Sequence, residues 1–133
     1  VVAPLDPVNA ALPGLVSLGA VAPPQPAAPT LAIVFISETS ALITASVPAP
    51  EGDSTSIAHF RMREVDPLTL APLGDGAWIM MPDYLSQYAM ASAALAGAPG
   101  STHSYEIAAW FMTPLGAIGP MSGSAFIAIL YPT

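Results

Sequence analysis

The chain has 133 residues, enough for one domain with a real hydrophobic core. It is 53% hydrophobic and 8% charged, has no cysteine, and carries a formal net charge of −7 with Arg61 and Arg63 as its two cations. These numbers exclude a disulfide framework and a cysteine-based zinc site. They also leave no cationic patch for phosphate, so neither nucleic acid nor an anionic membrane surface is an expected partner.

Residues 1–30 hold seven of the prolines, at positions 4, 7, 13, 23, 24, 26 and 29. Proline fixes φ and removes a backbone donor, so neither helix nor central strand is expected there. Two readings stand side by side for this arm: a polyproline-like linker, or an arm that docks on a neighbouring subunit. Leu12, Leu15, Val16, Leu18 and Val21 favour the second, being more apolar than a solvated linker requires. No positively charged region followed by an apolar core opens the chain, so no secretory signal is expected.

From residue 31 to 133 the pattern changes to short β-type segments between turn signals, which predicts an all-β, two-sheet antiparallel sandwich. Residues 31–37, the most apolar run, form the first predicted strand. At that length they suit a strand and cannot span a bilayer. Residues 40–47 follow, closed by Pro48-Ala49-Pro50-Glu51-Gly52. A third strand covers 56–65, ending at Asp66-Pro67. A loop with Pro72, Gly74 and Gly76 leads to a strand at 77–81. Residues 84–94 read as one strand, despite an alanine content that would also suit a short helix. Strands at 105–113 and 124–130 complete the pair of sheets.

The run from Tyr105 through Trp110 and Phe111 to Gly119-Pro120-Met121-Ser122 resembles the F strand, FG loop and start of G in fibronectin type III domains. Leu95 and Pro99-Gly100 resemble the approach to that family's tyrosine corner, with a spacing to Tyr105 several residues longer. Ile57-Ala58-His59-Phe60-Arg61-Met62-Arg63 is similar to its C strand, which implies Phe60 and Met62 inside and His59, Arg61 and Arg63 on the opposite face. The B strand departs from the family: Ile43, Ala45 and Val47 are the inward candidates, and Ala45 stands where a core tryptophan is usual. Phe35, Phe111 and Phe126 are therefore expected to fill the vacated volume. The resemblance spans roughly residues 27–132 and implies an immunoglobulin-like sandwich.

Chemistry is sparse. His59 and His103 are the two candidate bases, His103 in a loop expected to be solvated or locally hydrogen-bonded. No His/Asp/Glu spacing matches a zinc site, and Glu51-Gly52-Asp53 supplies too few oxygens for calcium. No glycine-rich phosphate loop is present. The expectation is a protein that is not an enzyme, with no cofactor and no metal.

The second faces of the strands say more. If Ile107, Ala109 and Phe111 point inward, then Ala108, Trp110 and Met112 point out. Phe126 or Ile127 must be external, and Trp78, Ile79, Met80 and Met81 cannot all be internal. Apolar patches of this kind mark interfaces, so Leu12, Leu15, Val16, Leu18, Trp78, Trp110 and Met112 are the candidate interface. The expected function is a structural component of a large assembly with protein subunits as partners, as a homo-oligomer or bound to a lattice. By analogy with where fibronectin-type domains occur, a bacteriophage virion protein is expected, as capsid decoration, cement or tail-associated protein. The alternative is an extracellular spacer or binding module of a secreted enzyme or adhesin.

Overall fold

In the computed structural model, residues 22–49, 56–81, 83–86 and 89–133 are described. Their regular structure is entirely β. The strands are β1 (Thr30–Ser37), β2 (Ser40–Ser46), β3 (Ile57–Val65), β4 (Ile79–Met80), β5 (Asp83–Ser86), β6 (Met90–Ala96), β7 (Thr102–Met112) and β8 (Ala125–Leu130). They form two four-stranded antiparallel sheets, in the orders β1-β2-β6-β5 and β4-β3-β7-β8. The predicted sandwich is present.

Period-two alternation explains which side each strand buries. On β2, Ala41, Ile43 and Ala45 are fully buried, continued by Val47. On β3 the buried set is Ala58, Phe60 and Met62, and on β7 it is Ile107, Ala109 and Phe111. The inward assignments of Ile43, Ala45, Val47, Phe60 and Met62 therefore hold. These residues form one continuous core with Met81, Ala91, Ala93, Tyr105, Ile129 and Tyr131.

Three expectations are corrected. The segment 84–94, read as one strand, is two: β5 and β6 pair antiparallel through Tyr84↔Ala91 and Asp83↔Ser92. The alanine-rich run hid a hairpin, because small residues carry no period that marks a turn. Second, of the three phenylalanines expected to fill the core, only Phe111 is buried; Phe35 and Phe126 are each 44% exposed. Tyr131, just past β8, is the large aromatic buried instead, at 1% exposure and at the Gly97 end of the sandwich. Phe35 meets it edge-on from the rim, with ring centroids 6.0 Å apart. Third, His103 lies within β7, paired with Ile129, and not in a loop.

Tyr131 fits because Gly97 faces it. A Cβ on Gly97 would lie 2.2 Å from the ring. The C-terminal segment is tied down on the same side by Tyr131 N donating to Ser101 O and Gly100 N donating to Tyr131 O, both at 3.0 Å. The ring thus closes the end of the sandwich between the β6–β7 turn and β8.

Residues 22–29, expected within the arm, pack on the sandwich. Pro23, Pro26 and Pro29 are buried while the residues between them are exposed. This repeat of three is the period of a polyproline II helix. Gln25 Nε2 donates to Met121 O at 2.7 Å, and Pro23 rests against Gly119. Leu12, Leu15, Val16, Leu18 and the turn at Glu51-Gly52-Asp53 lie outside the described residues.

Replacing Gly97 by alanine should cost roughly 1–3 kcal/mol, because the methyl must displace a buried ring or backbone. Gly123, with open space at its Cβ position, is the control and should change by less than about 0.5 kcal/mol. Urea unfolding of the two variants measures both; equal stabilities would mean that Tyr131 does not occupy this position.

Candidate functional site: a ladder of aromatic and charged side chains

β3 and β7 pair over nine residues, from Ile57↔Met112 to Val65↔Ser104. Their outward residues therefore stand in fixed rows on the outer face of the second sheet. His59 lies beside Trp110, Arg61 beside Ala108 and Arg63 beside Glu106. β4 adds Met80 next to Arg61, which brings Trp78 alongside Arg63.

The rows are in physical contact. The His59 and Trp110 rings stack at 5.6 Å with 20° between planes. Burial lowers the pKa of the His59 imidazole, which favours the neutral ring in this stack. The Trp78 indole takes both guanidinium groups, with Arg61 Cζ at 4.0 Å and Arg63 Cζ at 4.1 Å from the ring. Contacts at this distance are attractive through the ring quadrupole. Arg63 also donates from Nε to Glu106 Oε1 at 2.9 Å and from Nη1 to Gly76 O at 3.1 Å. Glu106 in turn accepts from Ser124 Oγ. Gly76 has φ +69°, and a Cβ there would press on Pro72 at 3.2 Å. Glycine lets the loop come down onto Arg63.

Trp78, Trp110 and Met112, three of the candidate interface residues, thus share one face and are half-buried. Trp110 and Met112 point outward as expected; Ala108 does too, but is buried in the row of Arg61. Of the run 78–81, Met81 is internal and Ile79 and Met80 are exposed. Phe126 is external, and Ile127 packs against the core. The two arginines, read from the sequence only as a polar strand face, are the centre of the ladder. The signal was present: two cations at a spacing of two on a strand, in a chain with two tryptophans.

A second cluster lies at the other end of the same sheet. His103 Nδ1 is 2.8 Å from Glu64 Oε2, and its Nε2 is 3.1 Å from Ser101 Oγ. The order of groups is that of a serine–histidine–carboxylate relay. However, Ser101 Oγ donates its proton to Ala98 O at 2.6 Å. The amides of Gly100 and Ser101 are already bonded to Tyr131 O and Ala98 O, so neither can serve an oxyanion. As arranged, the cluster clamps the β6–β7 turn to β3. Beside it, burial with the nearby charges of Glu64 and Tyr131 pushes the Tyr105 hydroxyl up to about 12. Burial and Glu64 raise Tyr131 as well. Among the described residues no group of three His, Cys, Asp or Glu could hold a metal ion, and no helix is long and apolar enough to cross a membrane.

No protein-family model matches the chain, and no curated protein matches it.

Two expectations follow. Glu106→Ala removes the carboxylate from a largely buried guanidinium and should cost about 2 kcal/mol in chemical unfolding. An unchanged midpoint would show that Arg63 is held by Trp78 and Gly76 alone. Tyr105 keeps its proton in the folded chain above the pH where an unfolded tyrosine, near 10, loses it. Its contribution is therefore complete below pH 10 and lost as pH rises towards 12. Thermal midpoints across that window should fall, and fall less steeply in Tyr105→Phe; parallel profiles would contradict this.

Proposed function

We propose that the chain is a structural assembly protein built on an immunoglobulin-like sandwich of the fibronectin type III kind, and that it is a bacteriophage virion component. On this reading it decorates or cements a capsid, or belongs to a tail, and its partners are protein subunits. The strand orders β1-β2-β6-β5 and β4-β3-β7-β8 support the immunoglobulin-like part of this reading, since they follow the A-B-E-D and C-F-G sheets of immunoglobulin constant-type domains with one added strand beside C. The virion assignment rests on analogy with where such domains occur.

The observation that carries the assembly reading is the surface. The outer face of the second sheet presents Trp78, Trp110, Met80, Met112 and Phe126 around the Arg61–Arg63–Glu106 cluster. Tryptophan, methionine and arginine with no lysine is the composition of a buried contact, and a rigid aromatic ladder supplies it without ordering cost. The tryptophans are pre-positioned by cation–π and stacking contacts, so a partner meets a finished surface.

A second reading, a spacer or binding module of a secreted enzyme or adhesin, is favoured by one observation. The buried repeat of Pro23, Pro26 and Pro29 makes residues 22–29 a stiff approach to the sandwich, as an interdomain connection would need.

Light scattering after size exclusion distinguishes the two, on the full chain and on a chain starting at residue 22, which keeps the docked prolines. Assembly predicts a species larger than the monomer for the full chain and a smaller assembled share after truncation. A monomer in both forms at every concentration would remove the assembly reading and leave the spacer.

A further inference from the structure

Residues 22–37 and 107–133 contain no charged side chain, although the chain carries −7 overall. These segments include β1 and β8, which are edge strands of the two sheets and lie against each other. One flank of the sandwich is therefore uncharged, with the acids placed elsewhere.

β1 is an open edge. From Thr30 to Phe35 it pairs regularly with β2, and the register shifts only between Phe35 and Ser37. Among the described residues nothing pairs with its other side. Such a row of free N–H and C=O groups recruits another strand unless lysine, proline or an inward charge guards it. The strand Thr-Leu-Ala-Ile-Val-Phe-Ile-Ser has none of these, and its Val34 and Ile36 are 59% and 61% exposed. What such an edge recognises is the backbone of an extended strand with apolar side chains.

We propose that β1 pairs antiparallel with β1 of a second copy of this chain about a two-fold axis, joining two four-stranded sheets into one of eight. This deepens the assembly reading and rests on it. Leu31, Ile33 and Phe35 face the core side, so a continuous sheet requires them to pair in phase. Centring the axis on Ile33 satisfies this: Leu31 meets Phe35 of the copy, and Ala32 meets Val34. The uncharged flank suits a second copy as occupant. Two chains of −7 repel wherever acids face each other, and this flank brings none together. The nearest described acid is Glu38. Ten residues of strand separate it from its symmetry mate, about 33 Å at ~3.3 Å per residue, or roughly four Debye lengths at physiological salt.

Sedimentation velocity across a concentration series tests this. The full chain should dimerise. Val34→Lys, which places a guard charge on the outward side of the edge, should be monomeric with unchanged circular dichroism and a thermal midpoint that no longer rises with concentration. Leu68→Lys, an equal charge change at a residue 93% exposed in the loop after β3, should still dimerise. Hydrogen exchange at the amides of residues 31–35 should be slower in the wild-type dimer than in Val34→Lys. A wild-type monomer throughout, or a Val34→Lys dimer, overturns the proposal. If the full chain is monomeric while a chain starting at residue 22 dimerises, residues 1–21 occupy the edge and the second copy is excluded. If Trp110→Ser abolishes the oligomer and Val34→Lys does not, the outer face is the contact. Edge pairing then fails while the assembly reading stands.

Discussion

The nine-residue register between β3 and β7 is the constraint on which the rest depends. It places Phe60, Met62, Ile107, Ala109 and Phe111 in the core and, by the same alternation, His59, Arg61, Arg63, Glu106 and Trp110 outside. A slip of one residue would exchange the two sets and drive both guanidinium groups into an apolar interior. The cost of burying an unpaired charge is several kcal/mol per ion, comparable with the whole stability of a small domain. In a chain with two cations, those two fix the sheet's orientation.

The outer ladder follows from that register. Arg63 is held from three sides, by an indole, a carboxylate and a backbone carbonyl. Its contacts tie the loop before β4 to the sheet, so Trp78 is presented at a set height. A surface that would otherwise be loose and greasy is stiffened by polar contacts beneath it. That combination suits binding, since little side-chain freedom remains to be lost.

Much of this was legible from residue patterns, and the misses have physical causes. Alternation on β2, β3 and β7 was clear because large apolar and polar residues take turns there. On residues 84–96 alanine and serine dominate, and neither marks a face or a turn, so the β5–β6 hairpin did not show. Tyr131 was missed as a core residue because its pocket exists only where Gly97 approaches from a distant part of the chain. The period of Pro23, Pro26 and Pro29 was visible in the sequence, but its burial required Gly119 and Met121 to supply the facing surface. Of the candidate interface, Trp78, Trp110 and Met112 came together through strand pairing that a sequence leaves implicit. The Glu64–His103–Ser101 chain was illegible for a related reason: Glu64 reaches His103 diagonally across β3 and β7.

Tyr131 also bears on how the chain is made. Its ring completes a core whose first buried strand residues lie some ninety positions earlier. While the ribosome still holds this tyrosine, the end of the sandwich between Gly97 and β8 stays open, and β1 and β2 wait with their apolar faces uncovered. Closure of this sandwich consequently waits until its last strand has left the ribosome. A truncated product that ends before Tyr131 lacks the ring that seals this end of the core.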